Sequence, residues 1–301
     1  MTATIPLPDF GGQFFAGGSL WIVEQSALVQ VDPASAEVVG TRPLPAWARG
    51  PVVGTDSAIW ALVGDEVVQV DPSTMQQTGA VVVGGARSDL AVGAGAVWVA
   101  DSSKGTVARI DPASLRLIAS VPIPCQDPDG CMLTELAADN EGAWVAQLSA
   151  SLKTTVYRVD PATNEVVASI AVPSAGGEAL AVGSGSVWAV AMGVQRIDPS
   201  TDQVVADIGV PGIEPVGGSF HGEAVFAAGS LWVLDEEGGL LWEIDPATNA
   251  LAGRLFPFGS EERATGLVGG PTAVWVATTF GNPQASPPPP GTGAEVARVE
   301  P

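Results

Sequence analysis

The chain has 301 residues, of which 33 are acidic and 12 are basic, so its formal net charge is −21. This scarcity of Lys and Arg argues against nucleic acids and anionic membranes, because both are bound chiefly through basic side chains. Hydrophobic residues make up 46% of the sequence, which excludes general disorder, and no stretch predicts a transmembrane helix or membrane insertion.

The first predicted element is a strand within residues 1–8. Its sequence, Thr-Ala-Thr-Ile-Pro-Leu-Pro (2–8), is similar to the strand ends at 41–45 and 119–124. The last repeat, 264–301, lacks a fourth strand of its own. We therefore expect residues 1–8 to supply its outer strand, which removes an open sheet edge, and the alternative is an unstructured tail.

Two marks then recur along the whole chain. A Trp after a small or aliphatic residue returns every 38 to 46 residues, at Trp21, Trp60, Trp98, Trp144, Trp188, Trp232 and Trp275. An Asp-Pro pair follows each Trp, at Asp32, Asp71, Asp111, Asp160, Asp198 and Asp245, with Glu300-Pro301 as a degenerate seventh copy. A repeat of this length, seven times over, indicates an array of similar structural units.

Each unit contains four short, Val-rich runs bounded by Gly and Pro, which is the pattern of β-strands. In the third copy the first run (strand A) is 90–93, strand B holds Trp98, strand C ends at Asp111, and strand D begins near Leu115. Almost no helix is expected. Seven units of four strands predict an all-β fold, a seven-bladed β-propeller with antiparallel blades, as a single domain spanning 1–301.

The residues that carry this pattern resemble the YVTN-type propeller repeats. The similar segments are Val-Ala-Arg-Ile-Asp-Pro-Ala-Ser (107–114), Tyr-Arg-Val-Asp-Pro-Ala-Thr-Asn-Glu-Val-Val-Ala-Ser-Ile-Ala-Val (157–172) and Leu-Ala-Val-Gly-Ser-Gly-Ser-Val-Trp (180–188). The resemblance covers essentially the whole chain and implies a propeller of surface or exported proteins. The same superfamily includes the streptogramin (virginiamycin B) lyases. One propeller fold hosts unrelated activities, so the resemblance implies fold more than function.

The loops divide into two sets, one on each face of an antiparallel blade. The A–B and C–D turns are nearly uniform, and Asp-Pro suits a C–D turn because Asp caps backbone N–H groups and Pro presets φ. All large insertions fall in the D–A and B–C loops, at 124–134, 148–155, 211–223 and 279–294. Since binding sites favour variable loops on a rigid scaffold, we expect the D–A/B–C face to be functional rather than to carry idle insertions.

Charged residues at the ends of strands B and just before strands A are expected to lie on this face. They form the predicted ligand-binding set: Glu24, Arg49, Arg87, Asp101, Glu135, Asp235 and Arg263. Such a set suits a metal or a polar ligand, and the alternative is a solvated rim. Because the face is mostly acidic, its partner is expected to be cationic, a metal ion, or neutral and polar.

A catalytic alternative centres on the only histidine, His221, with Glu178 and Glu223. The resemblance to streptogramin lyases implies a His and Glu pair acting with magnesium, although those enzymes use more than one histidine. No motif of a serine hydrolase, zinc protease or nucleotide-binding loop is present.

The two cysteines, Cys125 and Cys131, flank Gln-Asp-Pro-Asp-Gly, and this spacing with its turn allows a local disulfide. Two cysteines are too few for a zinc site. A disulfide favours an extracytoplasmic or cell-surface location, although the N-terminal residues show no signal peptide, which keeps the cytoplasm as the alternative.

The sequence thus predicts a monomeric, non-catalytic binding or sensor scaffold. Its D–A/B–C face is expected to bind a protein, peptide or glycan, with no cofactor other than an optional divalent cation. The alternative is a metal-assisted lyase or hydrolase at His221, Glu178 and Glu223.

Overall fold

The computed structural model describes residues 3–84, 88–172, 179–211, 222–236, 239–255, 262–280 and 293–301, with the backbone alone at 88, 254, 255 and 262. It confirms the all-β prediction: seven four-stranded antiparallel sheets are arranged as a β-propeller. The helix found in the described residues is one 3₁₀ turn at Ala46–Arg49.

The strands follow the predicted order within each blade. After β1 (Ala3–Leu7), blade 1 consists of β2 (Gly12–Ala16), β3 (Ser19–Val23), β4 (Ala27–Asp32) and β5 (Glu37–Pro43). Blade 2 consists of β6 (Val52–Gly54), β7 (Ile59–Val63), β8 (Glu66–Val70) and β9 (Gln77–Val82). Blade 3 consists of β10 (Ser88–Gly93), β11 (Ala96–Asp101), β12 (Thr106–Asp111) and β13 (Arg116–Pro122).

The remaining blades have the same plan. Blade 4 consists of β14 (Cys131–Ala138), β15 (Ala143–Ser149), β16 (Thr154–Asp160) and β17 (Glu165–Val172). Blade 5 consists of β18 (Ala179–Gly183), β19 (Ser186–Val190), β20 (Val194–Asp198) and β21 (Gln203–Ile208). Blade 6 consists of β22 (Gly222–Ala227), β23 (Ser230–Asp235), β24 (Leu240–Asp245) and β25 (Ala250–Leu255).

Blade 7 contains β26 (Glu262–Gly269), β27 (Val274–Phe280), β28 (Gly293–Val299) and, as its fourth strand, β1. The pairing of β1 with β28 runs antiparallel from Ala3 opposite Arg298 to Leu7 opposite Ala294. Ile5 and Leu7 are buried there. The N-terminal strand therefore completes the last blade, as the sequence predicts.

By its internal contacts the chain divides into two compact units. Unit 1 comprises Met1–Arg49, Gly54–Ile59 and Gly222–Pro301, and holds blades 1, 6 and 7. Unit 2 comprises Gly50–Val53 and Trp60–His221, and holds blades 3, 4 and 5 with most of blade 2.

The repeated tryptophans are core residues, each at most 2% exposed. Trp98 of blade 3, for example, belongs to a cluster with Leu136, Val145 and Tyr157 of blade 4, so neighbouring sheets pack through these faces. The Trp98 indole N–H donates to the Gly93 carbonyl at 3.0 Å, which satisfies its one polar atom. Such Trp residues fill the space between blades and are not accessible for stacking on a ligand.

Candidate functional site

The Asp-Pro turns are built as the sequence predicts. In blade 3 the Asp111 carboxylate accepts N–H bonds from Ala113 and Ser114 at 2.8 and 3.1 Å, and Leu115 follows in the left-handed region with φ 53°. Hydrogen bonds from the residues that follow lower the pKa of the turn aspartates Asp32, Asp71, Asp111, Asp198 and Asp245.

These turns also join neighbouring blades. The Arg109 guanidinium of blade 3 donates to the Pro161 carbonyl of the blade 4 turn and, at 3.0 Å, to Asn164 Oδ1. Arg158 of blade 4 repeats this contact with the Pro199 carbonyl of the blade 5 turn at 2.7 Å. The C–D turns of these blades are therefore occupied by contacts that hold the fold together.

Arg109 and Arg158, together with Arg196 at the same position of blade 5, stack on the repeated tryptophans. The guanidinium carbons lie 5.4, 5.3 and 5.0 Å from the ring centroids in the pairs Arg109–Trp98, Arg158–Trp144 and Arg196–Trp188. Each stack is a cation–π contact that adds stability at a buried aromatic. Several of the chain's few arginines are thus committed to structure.

Asp101 has a turn-forming role in the B–C loop of blade 3. It is 4% exposed, and its carboxylate accepts the Ser103 hydroxyl at 2.6 Å and pairs with the Lys104 ammonium at 2.9 Å. Burial alone raises its pKa, but the hydrogen bonds from Ser103 and Lys104 outweigh burial and lower it. This geometry explains Asp101 without a ligand.

Two other acidic side chains hold neighbouring blades together at equivalent positions. In unit 2, Asp89 at the start of β10 accepts the N–H of Leu90 and, across the blade boundary, the N–H of Leu136, both at 2.8 Å. In unit 1, Glu223 at the start of β22 accepts the N–H of Leu267 in blade 7. We call these two contacts the carboxylate clasps.

A β-bulge accompanies each clasp on the accepting blade. The register of β14 shifts between Leu133 and Glu135, and that of β26 shifts between Ala264 and Gly266. The extra residue, Thr134 or Thr265, interrupts the ladder within the strand, and the clasped N–H belongs to the second residue after it. Glu135, one of the predicted ligand-binding residues, therefore lies at a bulge that serves a blade contact.

The clasps change the chemistry of their carboxyl groups. Desolvation by the surrounding protein raises the pKa of Asp89 to about 6, against the N–H bonds from Leu90 and Leu136. Desolvation likewise raises the pKa of Glu223 to about 7, with a smaller contribution from the charge of Glu236. Glu223, named above as part of a catalytic alternative, thus has a pKa near neutral pH. Its carboxylate, however, is already bonded to the next blade.

The other predicted site residues are dispersed. Arg49 ends the 3₁₀ turn and Arg263 lies in β26, and both are exposed, whereas Asp235 is buried at the end of β23. Glu24 follows β3, and its pKa is raised by burial and by the charge of Asp9. These residues lie in unit 1, while Asp101 and Glu135 lie in unit 2.

Three predicted residues, Arg87, Glu178 and His221, lie outside the described residues. In the part of the chain that is described, no group of three or more His, Cys, Asp or Glu side chains is arranged to hold a metal. The ligand-binding set and the catalytic alternative therefore stay predictions.

A cavity of about 480 Å³ lies on one face of blade 4, within unit 2. We call it the blade-4 pocket. Its floor is formed by alternate residues of three strands: Gln147 and Ser149, Thr155 and Tyr157, and Ser169 and Ala171. Alternate residues share a face of a sheet, and the register pairs Gln147 with Thr155 and Tyr157 with Ser169. Its rim is formed by two loops: Gln126, Asp127, Pro128 and Cys131, with Ser151 and Lys153.

The rim is held by the predicted disulfide. Cys125 and Cys131 are bonded, with Cα atoms 5.7 Å apart. Inside this clip, the Asp127 carboxylate accepts the Ser151 N–H at 3.0 Å, and the Gly130 carbonyl accepts the Ala150 N–H at 3.0 Å. The D–A loop before β14 and the B–C loop after β15 are therefore tied to each other over the pocket.

Polar groups in the pocket remain available to a ligand. The Tyr157 hydroxyl donates to Gln147 Oε1 over 3.5 Å, and the Ser149 and Ser151 hydroxyls bond to each other at 2.9 Å, so each of these groups keeps only part of its hydrogen-bonding capacity for a ligand. Among the described residues, the hydroxyls of Thr155 and Ser169 bond to no protein group. The pocket combines preformed walls with unused donors and acceptors, which is the usual character of a small-ligand site.

Sequence reasoning reached the rim of this pocket but not its floor. Both rim loops are among the four predicted insertions, and they flank the same blade. The floor residues belong to regular strands, where Ser and Thr carry no signal of their own. One signal was present: Tyr157, the only tyrosine of the chain, follows the second of these insertions by two residues.

Comparison with known proteins shows the fold alone. Neither a protein-family profile nor a curated protein sequence matches the chain. Solved structures that match include a hydrazine synthase of Kuenenia stuttgartiensis, at 14% identity over 92% of this chain and 94% of that one, with a TM-score of 0.63. Another is a chain of a mitotic checkpoint complex, at 10% identity over 99% of this chain and 91% of that one, with a TM-score of 0.67.

Both similar structures support the propeller fold, and they come from proteins with different roles. In all, 1406 chains of solved structures match. A fold this widespread is compatible with an enzyme or with a scaffold. The function must therefore be argued from the residues of this chain.

Proposed function

We propose that this protein is a non-catalytic binding scaffold that receives its ligand on the D–A/B–C loop face, in the blade-4 pocket. The observation that carries this proposal is that two of the variable loops, clipped by the Cys125–Cys131 disulfide, enclose a polar cavity of about 480 Å³. Preformed cavities of roughly 300–1,000 Å³ with a few convergent polar groups are typical of ligand sites.

The contacts on the opposite face support this choice. The Asp-Pro turns of blades 4 and 5 accept arginines from the preceding blades, so substitutions there disturb the scaffold. The D–A and B–C loops of blade 4 are tied to each other rather than to the core, and their lengths differ from those of the other blades. Variable loops on a fixed framework are the usual place for recognition.

The catalytic alternative has less support. Its member Glu223 is bonded to the Leu267 N–H, a role that accounts for its burial. A raised pKa near neutrality suits a general acid or base, so this alternative is retained as a prediction that a metal-dependence assay decides. A lyase or hydrolase activity that requires magnesium and is lost in Glu223→Gln would favour the catalytic alternative.

Binding is tested with a mixed library of amino acids, dipeptides, mono- and disaccharides and nucleosides, followed by ligand-observed NMR. The blocking variant is Ser169→Trp, which places an indole on the exposed floor of the pocket. Its matched control is Ser120→Trp, which makes the same change at the equivalent exposed position of strand D in blade 3. We expect compounds that bind the wild type and Ser120→Trp, but not Ser169→Trp.

Two results would overturn the proposal: no compound binds the wild type, or binding is the same in Ser169→Trp. Repeating the measurement with EDTA, and then with added Mg²⁺ or Ca²⁺, tests whether a divalent cation takes part. We propose that binding persists in EDTA, since the pocket has its own donors and acceptors.

The disulfide also bears on location and assembly. Disulfides persist in oxidising compartments, which supports an extracytoplasmic or cell-surface placement. In the described residues, no helix has the length and apolar character needed to cross a bilayer. The pocket is complete within one chain, so we propose that a monomer suffices for binding.

A further inference from the structure

The blade-4 pocket presents mainly neutral groups that both donate and accept hydrogen bonds. Its surface carries hydroxyls from Ser149, Ser151, Thr155, Tyr157 and Ser169, together with two glutamine amides. Hydroxyls and amides each offer donors and acceptors over a short distance. A ligand with the same alternation, a row of hydroxyl groups, can satisfy several of them at once.

The charges of the pocket cancel. Asp127 and Lys153 are its two charged residues, one of each sign. Both carboxylate oxygens of Asp127 already accept N–H bonds, from Asp129 at 3.0 Å and from Ser151 at 3.0 Å, so Asp127 serves chiefly to hold the rim. The chain as a whole carries −21, which opposes the approach of anions. These charges favour a neutral ligand.

The pocket offers little to an apolar or aromatic group. Tyr157 is 2% exposed, so its hydroxyl reaches the pocket while its ring is packed in the core between blades 3 and 4. The remaining apolar contributors, Pro128, Cys131 and Ala171, are small. A nucleoside base or a large hydrophobic side chain therefore finds no aromatic ring and only small apolar groups to pack against here.

We propose that the blade-4 pocket binds a neutral saccharide of one or two rings, through hydrogen bonds to the floor hydroxyls. This inference rests on the proposed function and deepens it by naming the ligand class. The cavity, about 480 Å³, accommodates such a ligand within the usual range of about 300–1,000 Å³ for small-molecule sites.

The experiment is calorimetric titration of the full chain with maltose, cellobiose and N,N′-diacetylchitobiose, beside glucuronic acid, glucosamine and a panel of dipeptides. We expect at least one neutral disaccharide to bind. Its Kd should change less than twofold between about 0.05 and 0.5 M NaCl, because screening affects charged ligands and not neutral ones.

The floor is tested by removing single hydroxyls without changing shape. Thr155→Val and Tyr157→Phe should each weaken saccharide binding by roughly 3- to 10-fold, the effect of one lost hydrogen bond. Thr106→Val is the matched control, because Thr106 occupies the equivalent half-buried position of strand C in blade 3 and is not part of the pocket. It should leave Kd unchanged.

The outcomes separate the two proposals. Saccharide binding that weakens in Thr155→Val and not in Thr106→Val supports both. Dipeptide or charged-sugar binding that is lost in Ser169→Trp, without binding of neutral sugars, overturns the saccharide inference and leaves the binding scaffold standing. Binding of none of the probes overturns both.

Discussion

The carboxylate clasps should make the protein lose stability as the pH rises from about 4 to about 8. The pKa of Asp89 lies at about 6 in the folded chain against an ordinary 3.8, and that of Glu223 lies at about 7 against 4.5. Between these values the folded state holds more protons than the unfolded state, so the free energy of unfolding falls as protons leave.

The magnitude follows from the size of these differences. At 1.36 kcal/mol per pH unit, each clasp costs up to about 3 kcal/mol once its carboxyl group is ionised. This is an upper value, because Asp89 and Glu223 each keep part of their surface in solvent. The cost is fully present above the folded pKa values and absent below about pH 4.

Asp89→Asn isolates one clasp. The amide cannot ionise, so the variant should lack the Asp89 share of the pH dependence. Its amide nitrogen cannot accept, whereas both oxygens of the Asp89 carboxyl group can, also when it is protonated, so the N–H of Leu90 or Leu136 loses its partner at a cost of about 1–2 kcal/mol. The wild type should therefore be the more stable protein at pH 4.5, and the variant the more stable one at pH 8.

The assay is reversible urea unfolding across this pH range in 0.5 M NaCl, which suppresses the repulsion among surface acids. Asp111→Asn is the control, because the pKa of Asp111 is lowered and its titration falls below the range. Stability curves of Asp89→Asn and wild type that run parallel from pH 4.5 to 8 would refute the reasoning. Glu223→Gln should reproduce the crossing at a higher pH.

Three further outcomes are expected. Deleting residues 1–7 should lower the free energy of unfolding by about 4 kcal/mol, because two buried side chains and the pairing with β28 are lost, and light scattering should show aggregation through the exposed edge. Arg109→Ala should cost about 2 kcal/mol in urea unfolding, from its stacking and its bonds to the next blade, whereas the exposed Arg116→Ala should cost under about 0.5. Replacing Cys125 and Cys131 together with Ser should lower stability by about 2 kcal/mol, as for the removal of a short disulfide loop, and a calorimetric scan measures it.

The fold could be predicted because its determinants repeat in the sequence. The Trp of strand B and the Asp-Pro of each turn act locally, one by filling the gap between sheets and the other by capping the N–H groups that follow it. Seven such tryptophans and six Asp-Pro turns leave little freedom in the arrangement, so the strand order and the pairing of β1 with β28 could be predicted.

The roles of the acidic residues could not be predicted in the same way. Asp89 and Asp101 are both aspartates at strand ends, yet one spans a blade boundary and the other caps a turn beside Lys104. Which role applies depends on a bulge in the neighbouring blade, and the bulge at Glu135 leaves no mark in the sequence of β10. Contacts between blades decide the chemistry of such residues. The position of a residue within its repeat does not reveal these contacts.

The pocket shows how the clasps and the loops relate. Blade 4 is held to blade 3 at two places. Asp89 of β10 accepts an N–H of β14, and Arg109 of β12 donates to the Asp-Pro turn of blade 4. With the blade fixed at these two places, the loops that rim the pocket need to be tied only to each other, and the Asp127–Ser151 bond and the disulfide do so. The rim can then vary in sequence and length without loss of the scaffold. For the proposed ligand site we therefore expect that changes in residues 124–134 and 148–155 alter ligand specificity, and that changes to the floor hydroxyls alter the class of ligand accepted.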